Sequence, residues 1–193
     1  MPQIAPDSLL SLEAYARERP AYRSRVIEHK KRRTVHVGEN ITLLFEDELT
    51  IRYQVQEMLR IERIFEADGI RGELEAYNPL IPDGGNLKAT MMLEYPEPGE
   101  RRRQLAGLKG VEDAAWVQVD GHARVHAIAD EDLERENDEK TSSVHFLRFE
   151  LDAAMRASLK RGAGLNVGTD HPNYRASVAV AAEVRRSLTN DLA

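Results

Sequence analysis

The sequence predicts an α+β domain. Three observations carry this: helix-period segments come first and last with β-branched runs between them, a long helix-period stretch covers Asp47 to Asp68, and an Asp-Gly turn at Asp120–Gly121 joins two of the runs as a hairpin. The expected architecture is an antiparallel sheet of about four strands packed against a long central helix and a C-terminal helix, preceded by an N-terminal helical segment and a small hairpin. One domain over residues 1–193 is expected, with a helical half over about 1–76 and a sheet-containing half over about 86–193.

Ser8 or Ser11 suits the cap of a short first helix through Arg17, and Pro20 then opens a second helix to about Arg33 with Tyr22, Val26 and Ile27 facing inward. Thr34–Val37 and Ile41–Phe45 are β-branched runs joined across Gly38-Glu39-Asn40, the pattern of a hairpin. In the helix Asp47 to Asp68, the residues Ile51, Val55, Met58, Ile61, Ile64 and Phe65 form one apolar arc, with Arg52, Gln56, Arg60 and Arg63 opposite. Gly69 or Gly72 suits its C-terminal end.

Tyr77 to Gly85 is a turn-rich connector with two prolines and a glycine pair. Leu87–Tyr95 reads as a strand, Gly99–Gly107 as a short basic helix, and Ala114–Val119 with His122–Ile128 as the hairpin across Asp120–Gly121. Asp130–Lys140 is a charge run expected to be an exposed loop or a frayed helical turn, Ser143–Leu151 a further strand, and Asp152 the cap of a helix to about Lys160. Gly162–Gly168 reads as an irregular glycine-rich stretch, after which Asp170 caps a final amphipathic helix running to about Leu188.

Composition bounds the function. Apolar residues at 41% and charged residues at 31% suit a globular chain, and a net charge of −6 opposes indiscriminate binding to nucleic acid. The absence of cysteine excludes disulfides, a thiol nucleophile, and thiolate-bound zinc or iron–sulfur clusters on this chain's own ligands. Neither a signal peptide nor a membrane-spanning run is visible, so a cytoplasmic protein is expected, with the basic clusters His29–Arg33 and Arg101–Arg103 as solvated faces.

The segments Arg32–Gly38, Ile41–Glu46, Arg52–Arg60, Tyr77–Pro82 and Asp170–Tyr174 together resemble a bacterial family of domains of unknown function of about this chain's length, and the match spans nearly the whole chain. Genes of that family often sit beside those for rubrerythrin-like proteins and heterodisulfide-reductase-type iron–sulfur oxidoreductases. The resemblance therefore implies a role near peroxide or electron-transfer chemistry, in which any electron path would run through a partner's cofactor. It implies no catalytic residues.

Candidate site residues follow from charge in unexpected places. Thr50, Gln54, Glu57 and Glu62 fall inside the apolar arc of the long helix, and a buried carboxylate must find a cation, a proton or a metal. Arg23, Arg25, Arg52 and Arg148 are the expected structural partners, and a di-iron bundle is disfavoured because Arg60, not His, follows Glu57 at i+3. His122, Arg124 and His126 alternate along a strand, so a three-histidine metal centre would need His145 from a neighbouring strand, against the alternative of a solvated face. Gly162–His171 running into a helix start is a candidate anion site, assisted by His171, Tyr174 and Arg175. No nucleophile elbow is present.

The expected function is a non-enzymatic accessory or interaction protein beside oxidative-stress or electron-transfer proteins. The alternatives are a small-molecule or anion-binding enzyme with a pocket between the central helix and the sheet, and a metal-binding protein using His and Glu. The expected ligand-binding residues are Arg52, Gln54, Glu57, Glu62, Asn78, His171 and Tyr174. A small anion and redox-system proteins are the expected partners, with neither nucleic acid nor membrane, and no motif identifies a cofactor.

Overall fold

A computed structural model of the protein describes residues 3–131, 135, 137 and 139–193. The first helix, α1 (Leu12–Lys31), starts at Ser11, whose hydroxyl accepts the Ala14 N–H at 3.2 Å. It runs unbroken through Pro20, contrary to the expected pair of helices. The Ala16 carbonyl that loses its partner belongs to an exposed residue, as does Pro20, so the carbonyl is open to solvent and the break costs little.

Strands β1 (Thr34–Val37) and β2 (Ile41–Phe45) form the expected hairpin, with Gly38 at φ +72°. Helix α2 (Glu48–Glu62) begins at a reciprocal Asp47–Thr50 capping box and stops earlier than the apolar arc predicts. Arg63 takes a left-handed conformation at φ 56°, and α3 (Ala67–Tyr77) folds back, so Gly69 and Gly72 lie inside a helix rather than after one. Ile61 and Phe65 are consequently 58% and 71% exposed. The apolar side of α2 instead packs Ile51, Val55 and Leu59 against Leu74 of α3 and against Ile4 and Ile81, a small core of its own.

The remaining elements are β3 (Asn86–Leu93), α4 (Pro98–Gly107), β4 (Ala115–Val119), β5 (Arg124–His126), β6 (Ile128–Ala129), β7 (Val144–Glu150), α5 (Ala153–Lys160), β8 (Leu165–His171), β9 (Tyr174–Ala179) and α6 (Ala182–Thr189). Asp152 caps α5 as expected, accepting the Met155 N–H at 2.7 Å. The class is α+β, but two antiparallel sheets replace the single sheet of about four strands. One has the order β1-β2-β3-β7-β6 and the other β5-β4-β8-β9.

The sheets share one apolar core, with Leu43, Met91 and Phe149 from the first and Val117, Val119 and Val167 from the second. Leu105 of α4, Leu159 of α5 and Leu188 of α6 complete it. The core is barrel-like because its edges are joined at both sides. Only Ala127 separates β5 from β6, so one segment passes between sheets, and its N–H reaches the Ala115 carbonyl at 2.9 Å. Across the opposite edge, the Tyr174 hydroxyl of β9 donates to the Val37 carbonyl at 2.8 Å and accepts the Asn40 N–H at 2.9 Å.

The largest departure from expectation lies at the C-terminus. Gly162–Leu188 is not a loop and one helix but the β8–β9 hairpin followed by the short α6. Trp116 pairs with Gly168 across the strands, and a Cβ on Gly168 would stand 2.4 Å from the indole, so the glycine is required by close strand packing rather than by a loop. Asp170 is a strand residue paired with Arg124 at 2.5 Å, not a helix cap.

A buried arginine ties the helical and sheet parts together. Arg33, 1% exposed and thus not part of a solvated cluster, donates to the carbonyls of Phe45 and Glu46 at 2.8 and 3.0 Å and to Ser187 Oγ at 3.2 Å. It also pairs with Asp191, and with Asp47 at 3.5 Å, while His29 reaches Asp47 at 2.6 Å. Burial pushes the Asp191 carboxyl above its ordinary range even beside Arg33. Burial acts on Asp47 too, but there Arg33, the Thr50 N–H and His29 together hold the carboxyl below the ordinary range.

Candidate ligand cleft

The residues singled out in the sequence occupy separate places. Glu57 faces α1, not the sheet: Arg19 grips it through two bonds of 2.7 and 2.8 Å, the Tyr15 hydroxyl donates at 2.7 Å, and Arg60 approaches at 3.4 Å. The Arg19 hydrogen bonds, outweighing burial and aided by Tyr15 and Arg60, bring the Glu57 pKa down to about 2. None of the four arginines expected to pair with it does so. Glu62 is exposed, which removes its demand for a partner. Gln54 is half-buried and makes no side-chain hydrogen bond among the described residues.

Gln56, expected on the solvent side, is instead buried and clamps Leu10, accepting its N–H at 2.8 Å and donating to its carbonyl at 3.3 Å. Asn78 does the same to Ile4 at 2.9 and 3.1 Å, and Arg52 holds the Ser8 carbonyl and hydroxyl at 2.9 Å each beside its pair with Glu48. These polar contacts bind the N-terminal segment to the helices. The carboxylate most withdrawn from water near α2 is Glu46, which accepts the hydroxyls of Thr50 and Thr90 at 2.5 and 2.6 Å.

His171 and Tyr174 flank the β8–β9 turn. His171 contacts the Lys109 carbonyl at 3.0 Å and accepts the Asn173 N–H at 3.2 Å, while the Tyr174 hydroxyl is used in closing the sheets. No helix begins there, so the proposed dipole-assisted anion site is absent. The three-histidine set also separates: His122 lies in the turn and meets Ser158 Oγ at 2.9 Å, His126 lies on β5, and His145 belongs to the other sheet.

A cavity of about 660 Å³ lies instead where α2 and α3 overhang β3 and β7. Met58, Tyr77, Leu80 and Phe146 give it apolar walls, Lys88, Arg135 and Arg148 give it three cations, and Glu73, Glu75 and Glu131 give it three carboxylates. A second cavity of about 830 Å³, bounded by Ile4, Arg71 and Asn78, shares Glu75, Pro79, Lys88 and Glu131 with the first. Lys88 therefore stands at the junction of one continuous cleft.

Strand register creates the charge. Lys88 and Arg148 are direct partners across β3 and β7, so two like charges face each other on one side of the sheet, an unfavourable pairing unless an anion intervenes. Glu131 intervenes for Arg148, with two bonds of 2.7 Å, and Glu150 joins it. Lys88 has only a carbonyl, donating to Pro79 at 2.5 Å, with no ion pair among the described residues. Burial, together with Arg148, pushes the Lys88 ammonium below the ordinary lysine range against the opposing pull of Asp83, Glu131 and Glu150. Arg135 lies over the Phe146 ring at 4.6 Å and connects the cleft to Asp130 at 3.1 Å.

Of the predicted charge run, residues 132–134, 136 and 138 lie outside the described residues; Glu131, Asn137, Glu139 and Lys140 are exposed as expected, whereas Asp130 and Arg135 are largely buried. Lys88 and Arg148 were visible in the sequence as lone cations inside otherwise apolar strands, but only the register shows that they oppose each other. Among the described residues, no helix is long and apolar enough to cross a membrane.

A family model described as a protein of unknown function, DUF3501, matches residues 3–192. The chain is similar to the crystal structure of a protein of unknown function from Burkholderia pseudomallei K96243, with 56% identity over 100% of both chains and a TM-score of 0.95. No curated protein matches.

Proposed function

The chain belongs to the DUF3501 family, and we propose that it binds a small amphipathic organic anion in the cleft between α3 and the paired strands β3 and β7. The single observation that supports this is Lys88, a cation facing another cation across the strands, which makes no direct ion pair among the described residues while Glu131 and Glu150 pair with Arg148. An anionic head group supplies the direct ion pair that Lys88 lacks among the described residues, and the Phe146, Tyr77, Leu80 and Met58 walls suit an apolar body, in a cavity within the usual range for small-molecule sites. The role is binding rather than catalysis. In that role Lys88 and Arg148 orient the ligand and neutralise its charge. An accessory function beside redox proteins, with electrons carried by the partner's cofactor, is the setting that the family resemblance favours.

Anilinonaphthalene sulfonate, an aromatic anion with an apolar body, is a direct probe. Its fluorescence titration should weaken by roughly tenfold or more in Lys88→Met, the loss expected for one hydrogen bond to a charged group. Equal affinity for wild type, Lys88→Met and Phe146→Ala, at equal fold stability, would remove the proposal.

A further inference from the structure

The geometry points to a divalent-cation site built on His145 and Glu112, separate from the cleft. His145 is 0% exposed, and its Nδ1 lies 2.6 Å from Asp130 Oδ2. Asp130 is itself fixed: its Oδ1 accepts the Phe146 N–H at 2.9 Å and Arg135 Nε at 3.1 Å, and its backbone adopts φ 48°. A non-glycine residue held in the left-handed region needs surroundings that over-determine it. A carboxylate gripping one imidazole nitrogen, and thereby aiming the other, is the usual second layer of a metal-bound histidine.

The aimed nitrogen, Nε2, faces three oxygens of different chemistry: Thr141 Oγ1 at 3.0 Å, the Ser142 carbonyl at 3.1 Å and Glu112 Oε2 at 3.7 Å. Thr141 Oγ1 and Glu112 Oε2 are 3.5 Å apart. Bonds of about 2.0–2.2 Å place neighbouring ligands about 3.3–3.6 Å apart around a tetrahedral ion and about 2.9–3.1 Å apart around an octahedral one. The four separations run from 3.0 to 3.7 Å, close to those ranges, so a small ion bound by Nε2, Thr141 Oγ1 and Glu112 Oε2 needs side-chain adjustments of only a few tenths of an ångström, with the Ser142 carbonyl beside Nε2 as a further ligand. The 2.6 Å contact of Asp130 is too short for two ligands of one ion, which assigns Asp130 a positioning role.

One imidazole with a carboxylate, a hydroxyl and a carbonyl favours a borderline-to-hard first-row ion such as Zn²⁺, Mn²⁺, Fe²⁺ or Co²⁺. The ligands come from the turn after α4, the residues before β7 and β7 itself. An ion there would tie β7 to the turn that leads into β4, with no cysteine required.

Cobalt alone is a suitable probe on the full chain. After Co²⁺ addition and removal of excess metal, one ion per chain is expected, with visible d–d bands and paramagnetic broadening centred on the amides of Thr141 to Phe146. His145→Gln and Glu112→Gln should abolish both, whereas Asp130→Asn should weaken binding about 10–100-fold and keep the stoichiometry. If the variants do not fold, the broadening map of the wild-type chain decides by itself. No retained cobalt, or broadening centred elsewhere, overturns the site and leaves His145 in a metal-free hydrogen-bond network.

Discussion

The helical part and the two-sheet part are held together by different physics. Between the sheets, the core from Leu43, Phe45, Met91 and Phe149 to Val117 and Val167 is continuous and apolar, so stability there scales with buried area and packing. The helical part has a short apolar core, and much of its internal cohesion is polar: Gln56 on Leu10, Asn78 on Ile4, Arg52 on Ser8 and Glu57 on Arg19. Apolar packing tolerates changes of pH and salt, whereas geometric hydrogen bonds and ion pairs are lost one partner at a time. The cleft lies on the seam between them. One wall is rigid sheet, and the other can loosen without unfolding the whole.

Phe149→Ala would test the comparison most severely. It should cost about 3–5 kcal/mol, and urea unfolding followed by circular dichroism should show the loss as one transition of the whole molecule. A loss confined to the helices would contradict the assignment of the main core. Gln56→Ala should cost less, about 1–3 kcal/mol, because it leaves the Leu10 N–H and carbonyl without their buried partner. Hydrogen exchange should then quicken in the N-terminal segment and α2 while the β4 and β8 amides keep their protection; uniform acceleration would erase the distinction between the two parts.

Acid should act on the same part more gently. The folded Glu57 carboxyl, at about 2, lies below its ordinary value of 4.5, so its stabilising effect is present above that ordinary value and is lost as pH falls from 4.5 toward about 2. Wild type should lose stability across this window more steeply than Glu57→Gln, read as the difference in urea midpoints at each pH. Parallel curves would mean that the Arg19–Glu57 pair contributes nothing.

Local signals and distant packing divide what the sequence disclosed. The β1–β2 hairpin, the Asp120–Gly121 turn and the Asp152 cap are encoded within a few residues and coincide with the structure. The β8–β9 hairpin is masked in the sequence because Gly168 signals irregularity, whereas in the fold Trp116, more than fifty positions earlier, occupies the space above it. The period-two alternation of Tyr174, Ala176 and Val178 was nonetheless present, and all three pack on the main core. A buried partner for Glu57 was demanded by its position, but choosing Arg19 over four other arginines required the crossing of α1 and α2. The cleft was less legible still. Lys88 and Arg148 lie sixty positions apart, and only strand register sets one against the other.

Trp116 is the single tryptophan of the chain, stacked between Gly168 and the Arg124 guanidinium, which lies 3.9 Å from its ring. Its emission therefore watches the four-stranded sheet and is nearly blind to the helices. A thermal scan recorded in fluorescence and in helical ellipticity would time the two parts against each other without any label.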